Sequence, residues 1–360
     1  MGAPPFARTD RMLLRPFLVR ALPPVLLAGA LSLATASAQD VKPAAKPVTA
    51  PASATAAKAP PVPLLWKVSD ADNAIYVLGS FHLLKSDDYP LSPDIDAAFA
   101  AADKLVFEVP PEQMNDPGAA PKFLAAAGYS DGRKLSQVLP GELHEKLSRL
   151  MGKQGVPVSA LDNYEPWFVN LSLFLGVAQA MGFSPQQGLD LHLMKRAAEA
   201  GKPTGGLETM DAQLAVLDGS PMAEQVAGLD DFLSRPEQMP GMVADMHNAW
   251  RDGDTAKLDA LTGAEMRTKA PQTYRIVNVE RNDAWLPQLQ KMLDQSKRGD
   301  DTLVVVGALH LLGNDGLVEK LRAKGYKIER LCSACAPGTA DVMPAAPAPA
   351  QPAATGSAAR

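Results

Sequence analysis

Two of the five histidines in this chain, His82 and His310, hold the same place in a stretch that occurs twice. The copies read Gly79-Ser80-Phe81-His82-Leu83-Leu84 and Gly307-Ala308-Leu309-His310-Leu311-Leu312. Each closes an apolar, β-branched run, Ile75–Leu78 before the first and Leu303–Val306 before the second. A buried strand that ends in Gly-x-x-His presents its imidazole at the C-terminal rim of an open α/β sheet, where ligands collect. Glu108 ends the strand-like run after the first copy, and Glu208 ends a short run after Gly205-Gly206. Two imidazoles and one or two carboxylates on one rim suit a divalent metal ion such as zinc, manganese, iron or cobalt. Such an ion activates water, and the remaining glutamate would serve as general base. Arg281 and Asn282 lie in a helical pattern before Trp285-Leu286, where a guanidinium could hold a substrate carboxylate or an oxyanion. Taken singly, each glutamate reads as a solvated strand-end acid and Arg281 as a surface charge. Their joint placement makes the site.

These residues need a sheet to position them. Leu64–Val68 and Ala74–Leu78 flank a polar turn and read as a β-hairpin. Ser92-Pro93-Asp94 then gives an N-cap, a proline at the first helical position and an acid for the helix dipole. Leu105–Phe107 follows as a strand. The second copy repeats this in shorter form: a helix starts at Asn314-Asp315, Gly325 stops it, and Tyr326–Leu331 returns as a strand. Between the copies the pattern is helical: 135–151 (interrupted at Pro140-Gly141), 167–183, 188–200, 210–261 and 277–293, with a short strand at 202–207. The expected fold is therefore α/β, a pseudo-duplicated core of two βαβ units carrying the Gly-x-x-His motifs, with a helical insertion between them. Asp190, in Gly188-Leu189-Asp190, could cap a helix or line the site. His144, His192 and His247 fall in helical patterns and take surface or packing roles. No phosphate loop, Gly-x-Ser-x-Gly or His-Glu-x-x-His is present, which leaves those enzyme classes without support.

The termini have a different character. Four arginines precede the apolar Ala21–Leu33, and Ala36-Ser37-Ala38 supplies small residues for cleavage, the layout of a secretory signal peptide over residues 1–38. The run is too short, and broken by Pro23-Pro24, to span a membrane stably. Processing would leave a secreted or periplasmic protein without a membrane span. Loss of four arginines and Asp10 would move the net charge from −5 to −8, which argues against nucleic acid as a partner. Residues 39–63 and the tail within 332–360 are Ala/Pro-rich and read as disordered spacers around a folded body at 64–331. Cys332 and Cys335 are the only cysteines; in an exported chain they read as a local disulfide clip.

In order along the chain stand Leu64-Leu65-Trp66-Lys67-Val68, Gly79–His82, Glu108, Glu165-Pro166-Trp167, Gly188-Leu189-Asp190, Gly206-Leu207-Glu208 with Gln213, Arg281-Asn282 and Gly307–His310. Each is a weak signal, but the eight in order resemble the TraB/PrgY/GumN family over about residues 64–331. That family is similar to the TIKI metalloproteases and to a wider group with the erythromycin esterases and haem-binding ChaN proteins. The resemblance implies an α/β fold with a duplicated core and a rim site made by both Gly-x-x-His motifs and the glutamates. Some branches are active enzymes; others bind or inhibit peptide pheromones. One departure is Gly-Ser-Phe-His, where many members have Gly-Thr-Ile-His, which changes packing beside the histidine and not the ligand. Two functions are expected on these grounds. One is an exported metal-dependent hydrolase acting on a peptide or small-molecule substrate, with His82, His310, Glu108 and Glu208 as metal ligands and Glu108, Glu208, Arg281 and Asn282 in catalysis. The other is a non-catalytic binder of peptide or haem at the same rim.

Overall fold

The computed structural model describes residues 58–294 and 300–335. The expected signal peptide, most of the linker and nearly all of the tail lie outside the described residues. The elements that build the site are β1 (Leu65–Ser69), β2 (Ala74–Ser80), α1 (Pro93–Ala101), β3 (Lys104–Phe107), α2 (Gly141–Lys153), α3 (Pro166–Ala180), α4 (Leu189–Glu199), β4 (Thr204–Gly206), α5 (Met210–Asp218), α6 (Met222–Ser234), α7 (Met239–Arg251), α8 (Arg281–Asp294), β5 (Thr302–Gly307), α9 (Leu317–Ala323) and β6 (Lys327–Arg330).

The strands form one six-stranded mixed sheet in the order β4-β3-β5-β2-β1-β6. Neighbours from β4 to β2 are parallel, while β1 runs antiparallel to both β2 and β6. Every residue of β2 and β5 is buried, as expected of central strands rich in Val, Ile and Leu and covered on both faces. Helix faces supply the cover: Ile95, Ala98 and Phe99 of α1, Leu189 and Leu193 of α4, Trp285 and Leu289 of α8, and Leu317 and Leu321 of α9 share one core with the sheet. The β1–β2 hairpin forms as the sequence predicts, with Leu65 opposite Leu78 and Ser69 opposite Ala74.

Both β-α-β passages form, and they interleave. The chain passes from β2 through α1 to β3, and β5 occupies the slot between those two strands. It later passes from β5 through α9 to β6, skipping over β2 and β1. Strands far apart in sequence thus become neighbours, with Ser80 beside Gly307 and Phe107 beside Val305.

The segment between β3 and β5 is mainly helical and has a separate apolar cluster, in which Leu143 and Leu147 of α2 meet Val169 of α3 and Leu229 of α6. Some helix boundaries differ from the sequence expectation. The helix read across 135–151 breaks at Pro140, which has no N–H to continue it and serves as N-cap to α2. The segment 210–261 divides into successive helices, α5, α6 and α7 among them, with proline at Pro221 and Pro236. The last helix starts at Leu317, after a turn at residues 313–316. The segment 277–293 begins as part of a π-helical turn, Arg275–Glu280, and becomes α-helical at Arg281. Residues 59–63, placed in the linker by composition, lie against the fold: the Val62 N–H donates to the Arg251 carbonyl, and Arg330 donates to the Pro63 carbonyl. At the other end Cys332 and Cys335 form a disulfide, and Ser333 is bound through its N–H and hydroxyl to Asp94 at the start of α1.

Candidate active site

Four adjacent parallel strands end on one rim, and a candidate residue follows the end of each. His82 follows β2, His310 follows β5, Glu108 follows β3 and Glu208 follows β4. Arg281, from the first turn of α8, enters between them. The sheet and α8 together place His82, His310, Glu108, Glu208, Arg281 and Asn282 around this rim.

Arg281 is the hub. Its Nη2 donates to Glu108 Oε2 (2.6 Å) and Glu208 Oε1 (2.7 Å), and its Nε donates to Glu208 Oε2 (3.2 Å). Nη1 donates to His310 Nε2 (2.9 Å) and to the Val277 carbonyl (3.2 Å). A guanidinium has five N–H groups, and all five are spent on the protein. The plane also stacks on Trp285, 4.6 Å from the ring centre, and Trp285 lies 4.6 Å from the His310 ring. The substrate clamp expected from sequence would need an N–H that Arg281, so placed, does not have to spare. Its observed work is to hold two carboxylates and one imidazole.

Glu108 is held from three sides, with Oε1 accepting from the Gly307 N–H (2.7 Å) and Oε2 from Gln213 on α5 (3.0 Å) as well as from Arg281. Burial raises its pKa, but Arg281, the two histidines and the Gly307 N–H together outweigh that and hold the carboxyl far below its usual range. Glu208 moves the other way: burial raises it, and Arg281 only partly offsets that. Two carboxylates sharing one cation are thereby made unequal.

The two histidines are unequal too. His82 Nδ1 is 2.7 Å from Asp190 Oδ2, and the Ser80 hydroxyl donates to the same oxygen at 2.5 Å. The Asp190 carboxylate raises the imidazole to about 9, and 62% of the side chain is open to solvent. His310 is buried, and its Nδ1 faces Asn282 Oδ1 at 2.8 Å. Burial, reinforced by Arg281, lowers His310 to about 3 in spite of Glu108. Asn282 Nδ2 donates to the carbonyls of His310 (3.2 Å) and Asp315 (2.8 Å), so its Oδ1 must face the ring. An amide oxygen only accepts, so His310 Nδ1 carries the proton and Nε2 keeps a lone pair. In His82 only Nδ1 is bonded among the described residues, by Asp190, whereas in His310 both ring nitrogens are held, Nδ1 by Asn282 and Nε2 by Arg281.

Two glycines matter because of what approaches them. A Cβ on Gly188 would run into the His82 carbonyl, so only glycine lets α4 start there and bring Asp190 to the ring. A Cβ on Gly307 would lie 3.1 Å from His82 Nε2 and 3.2 Å from Glu108 Oε1. That notch, with a carboxylate and a nitrogen aimed into it, has the donor chemistry of a cation cradle, and the His310 Nε2 lone pair stands 3.9 Å from the same carboxylate oxygen. His82, Glu108 and His310 have the donor types of a divalent-ion site, but His310 Nε2 accepts from Arg281 (2.9 Å), and among the described residues no group of three or more His, Cys, Asp or Glu could hold a metal ion as placed.

Sequence reasoning left Asp190 undecided and did not assign Ser80, Gln213 or Trp285 to the site. Gln213 had a signal, its spacing after Glu208 on a helix start; Ser80 had only its place between Gly79 and His82. Of the remaining histidines, His247 is buried and bonded through Nε2 to Asp88 (2.9 Å), a packing role that also anchors the loop after His82.

The chain belongs to the TraB/PrgY/gumN family, whose pattern it matches over residues 64–330. It is 25% identical over 247 residues to the uncharacterized protein YbaP of Escherichia coli (strain K12), covering 69% of this chain and 87% of that protein. It is also 21% identical over 302 residues to the metalloprotease TIKI2 of Danio rerio, covering 71% of this chain and 58% of TIKI2. Among the described residues no helix is long and apolar enough to cross a membrane.

Proposed function

We propose that the chain is an exported metal-dependent hydrolase acting on peptide bonds, with its site on the rim formed by β4, β3, β5 and β2. The observation that carries this reading is the delivery of His82, His310, Glu108 and Glu208 by four neighbouring strand ends to one rim, where Arg281 joins His310 and both glutamates. The distant similarity to a protein named as a metalloprotease supports it. The two Gly-x-x-His units are read as copies of one βαβ device, set side by side so that each supplies one imidazole. His82, His310 and Glu108 would hold the ion, which when bound supplies a Lewis acid and an acidified water. Glu208, raised by burial, is suited to take and return a proton. Asp190 and Asn282 orient the two rings, and Arg281 holds both carboxylates in register. The disulfide and the N-terminal leader pattern support export to an oxidising compartment such as the periplasm.

A second reading has its own observation. Arg281 engages His310 and both glutamates, leaving His82 as the exposed imidazole of the group. A non-catalytic protein could bind peptide or haem through that ring alone. The deciding experiment measures metal content together with turnover of a peptide library. Turnover lost with chelator and restored by zinc, manganese, iron or cobalt supports the hydrolase. Stoichiometric binding of peptide or haem without turnover overturns it in favour of the binder.

A further inference from the structure

Arg281 stands among the inward-facing acceptors of the rim with both of its outer nitrogens engaged. Nη2 lies between Glu108 Oε2 (2.6 Å) and Glu208 Oε1 (2.7 Å), and Nη1 reaches His310 Nε2 (2.9 Å). The acceptors differ in what they have left. A carboxylate oxygen has two lone pairs, so Glu108 Oε1, which takes the Gly307 N–H at 2.7 Å, keeps one. An imidazole nitrogen has a single lone pair, and that of His310 Nε2 is spent on Arg281. His310 can therefore serve Arg281 or a metal ion, never both at once. Like charge adds to the conflict, because a guanidinium beside a divalent ion repels it.

We propose that Arg281 is the rim's built-in cation: a divalent ion reaches His310 only by displacing Nη1, and the guanidinium then stays with Glu208. This rests on the reading of the rim as an ion site. Two contacts allow the partial retreat. Nε and Nη2 hold the two oxygens of Glu208 as a fork (3.2 and 2.7 Å), and the guanidinium lies over Trp285, 4.6 Å from the ring centre. Neither contact involves His310. Glu208, counted among the ligands on sequence grounds, is on this account the partner of the arginine, and His82, Glu108 and His310 are left to the ion.

The test is the zinc affinity of the full chain, by competition with a chelating dye, counting only the uptake that His310→Ala removes. Arg281→Lys keeps the positive charge, but its single ammonium settles on the carboxylates and leaves the imidazole lone pair free. It should bind zinc about tenfold more tightly than the parent, the worth of one charge-assisted hydrogen bond that no longer has to be broken. Arg281→Met removes the charge as well and should gain more. Uptake in the variants alone would be the limiting form of the same result. An affinity in Arg281→Lys equal to the parent's or weaker overturns the proposal and leaves the ion site standing. No uptake sensitive to His310→Ala in the parent or in either variant overturns both. Tighter zinc without peptide turnover upholds the displacement and removes only the hydrolase. Should neither variant fold, a crystal structure of the parent grown with zinc decides. An ion on His310 Nε2 with Arg281 kept on Glu208 upholds the proposal, and any other arrangement at the rim overturns it.

Discussion

Asp190 and His82 meet across two elements that are distant in sequence, carboxylate Oδ2 to ring Nδ1 at 2.7 Å. The contact sets the charge of the most exposed ring on the rim, since Asp190 is the first cause of its upward shift to about 9. Asp190→Asn keeps the shape and removes the charge. His82 in that variant should titrate at a lower pH than in the parent, read from its imidazole proton resonances. An unchanged midpoint would mean that the carboxylate does not govern the ring.

Because β2 lies beside β5, His82 and His310 follow neighbouring strand ends, and the proposed function makes them ligands of one ion. His82→Ala and His310→Ala should each abolish metal uptake and any hydrolysis, and the double variant should be little worse than either single one. Metal analysis with competition by a chelating dye checks this. His144→Ala, on α2 and away from the rim, is the control and should match the parent. Full metal content in either single variant would break the shared-site reading.

Arg281 supplies the charge shared by two buried carboxylates. Arg281→Ala should therefore destabilise the fold by roughly 3–5 kcal/mol, the usual effect of stranding buried charge. Urea unfolding measures it. Arg281→Lys should recover only part of the loss, because an ammonium cannot reproduce five donors in a planar fork.

Gly307→Ala places a methyl in the notch between His82 Nε2 and Glu108 Oε1. The backbone there is not left-handed, so alanine carries no strain of that kind. The variant should fold with a melting temperature near the parent's and lose ligand or metal at the rim. A folded variant with full binding would show that the notch is not used.

Acid stability should depend on Asp88, which is buried among His247, Arg251 and the Lys85 N–H. Burial raises this carboxyl, but its bonds to His247, Lys85 and Arg251 prevail and hold it at about 2, against an ordinary 3.8. Because the folded value is the lower one, the stabilisation is present above about pH 4 and fades as pH falls through about 2. A shift of this size corresponds to about 2 kcal/mol. The advantage of the parent over Asp88→Asn in urea should be flat from pH 7 to 4 and shrink below. A constant difference down to pH 2 would contradict it.

The strands that matter most were readable because burial on both faces leaves continuous apolar runs, as in Ile75–Leu78 and Leu303–Val306. His82, His310 and Glu108 could be picked out because each stands just past such a run, while Glu208 follows only the short, partly exposed Thr204–Gly206 strand. The placement of β5 between β2 and β3 could not be read, since local periodicity says nothing about which distant strand fills a slot. For the same reason Asp190 was visible as part of a motif while its bond to His82 was not. The difference between the histidines, one facing a carboxylate and the other an amide, comes from partners contributed by α4 and α8, far from either motif. The π turn was also hidden, because one widened turn scarcely disturbs the helical spacing of Val277, Arg281 and Trp285.

Interleaving the two passages has a consequence for the order in which the molecule can be made. When β3 leaves the ribosome, the slot between it and β2 is empty, and more than two hundred residues must follow β2 before β5 can fill it. Contacts that span so much chain form late. A nascent or truncated chain lacking β5 therefore has His82, Glu108 and Glu208 without the strand that aligns them. Whatever the rim does, it cannot begin before β5 has been made and has entered its slot between β3 and β2.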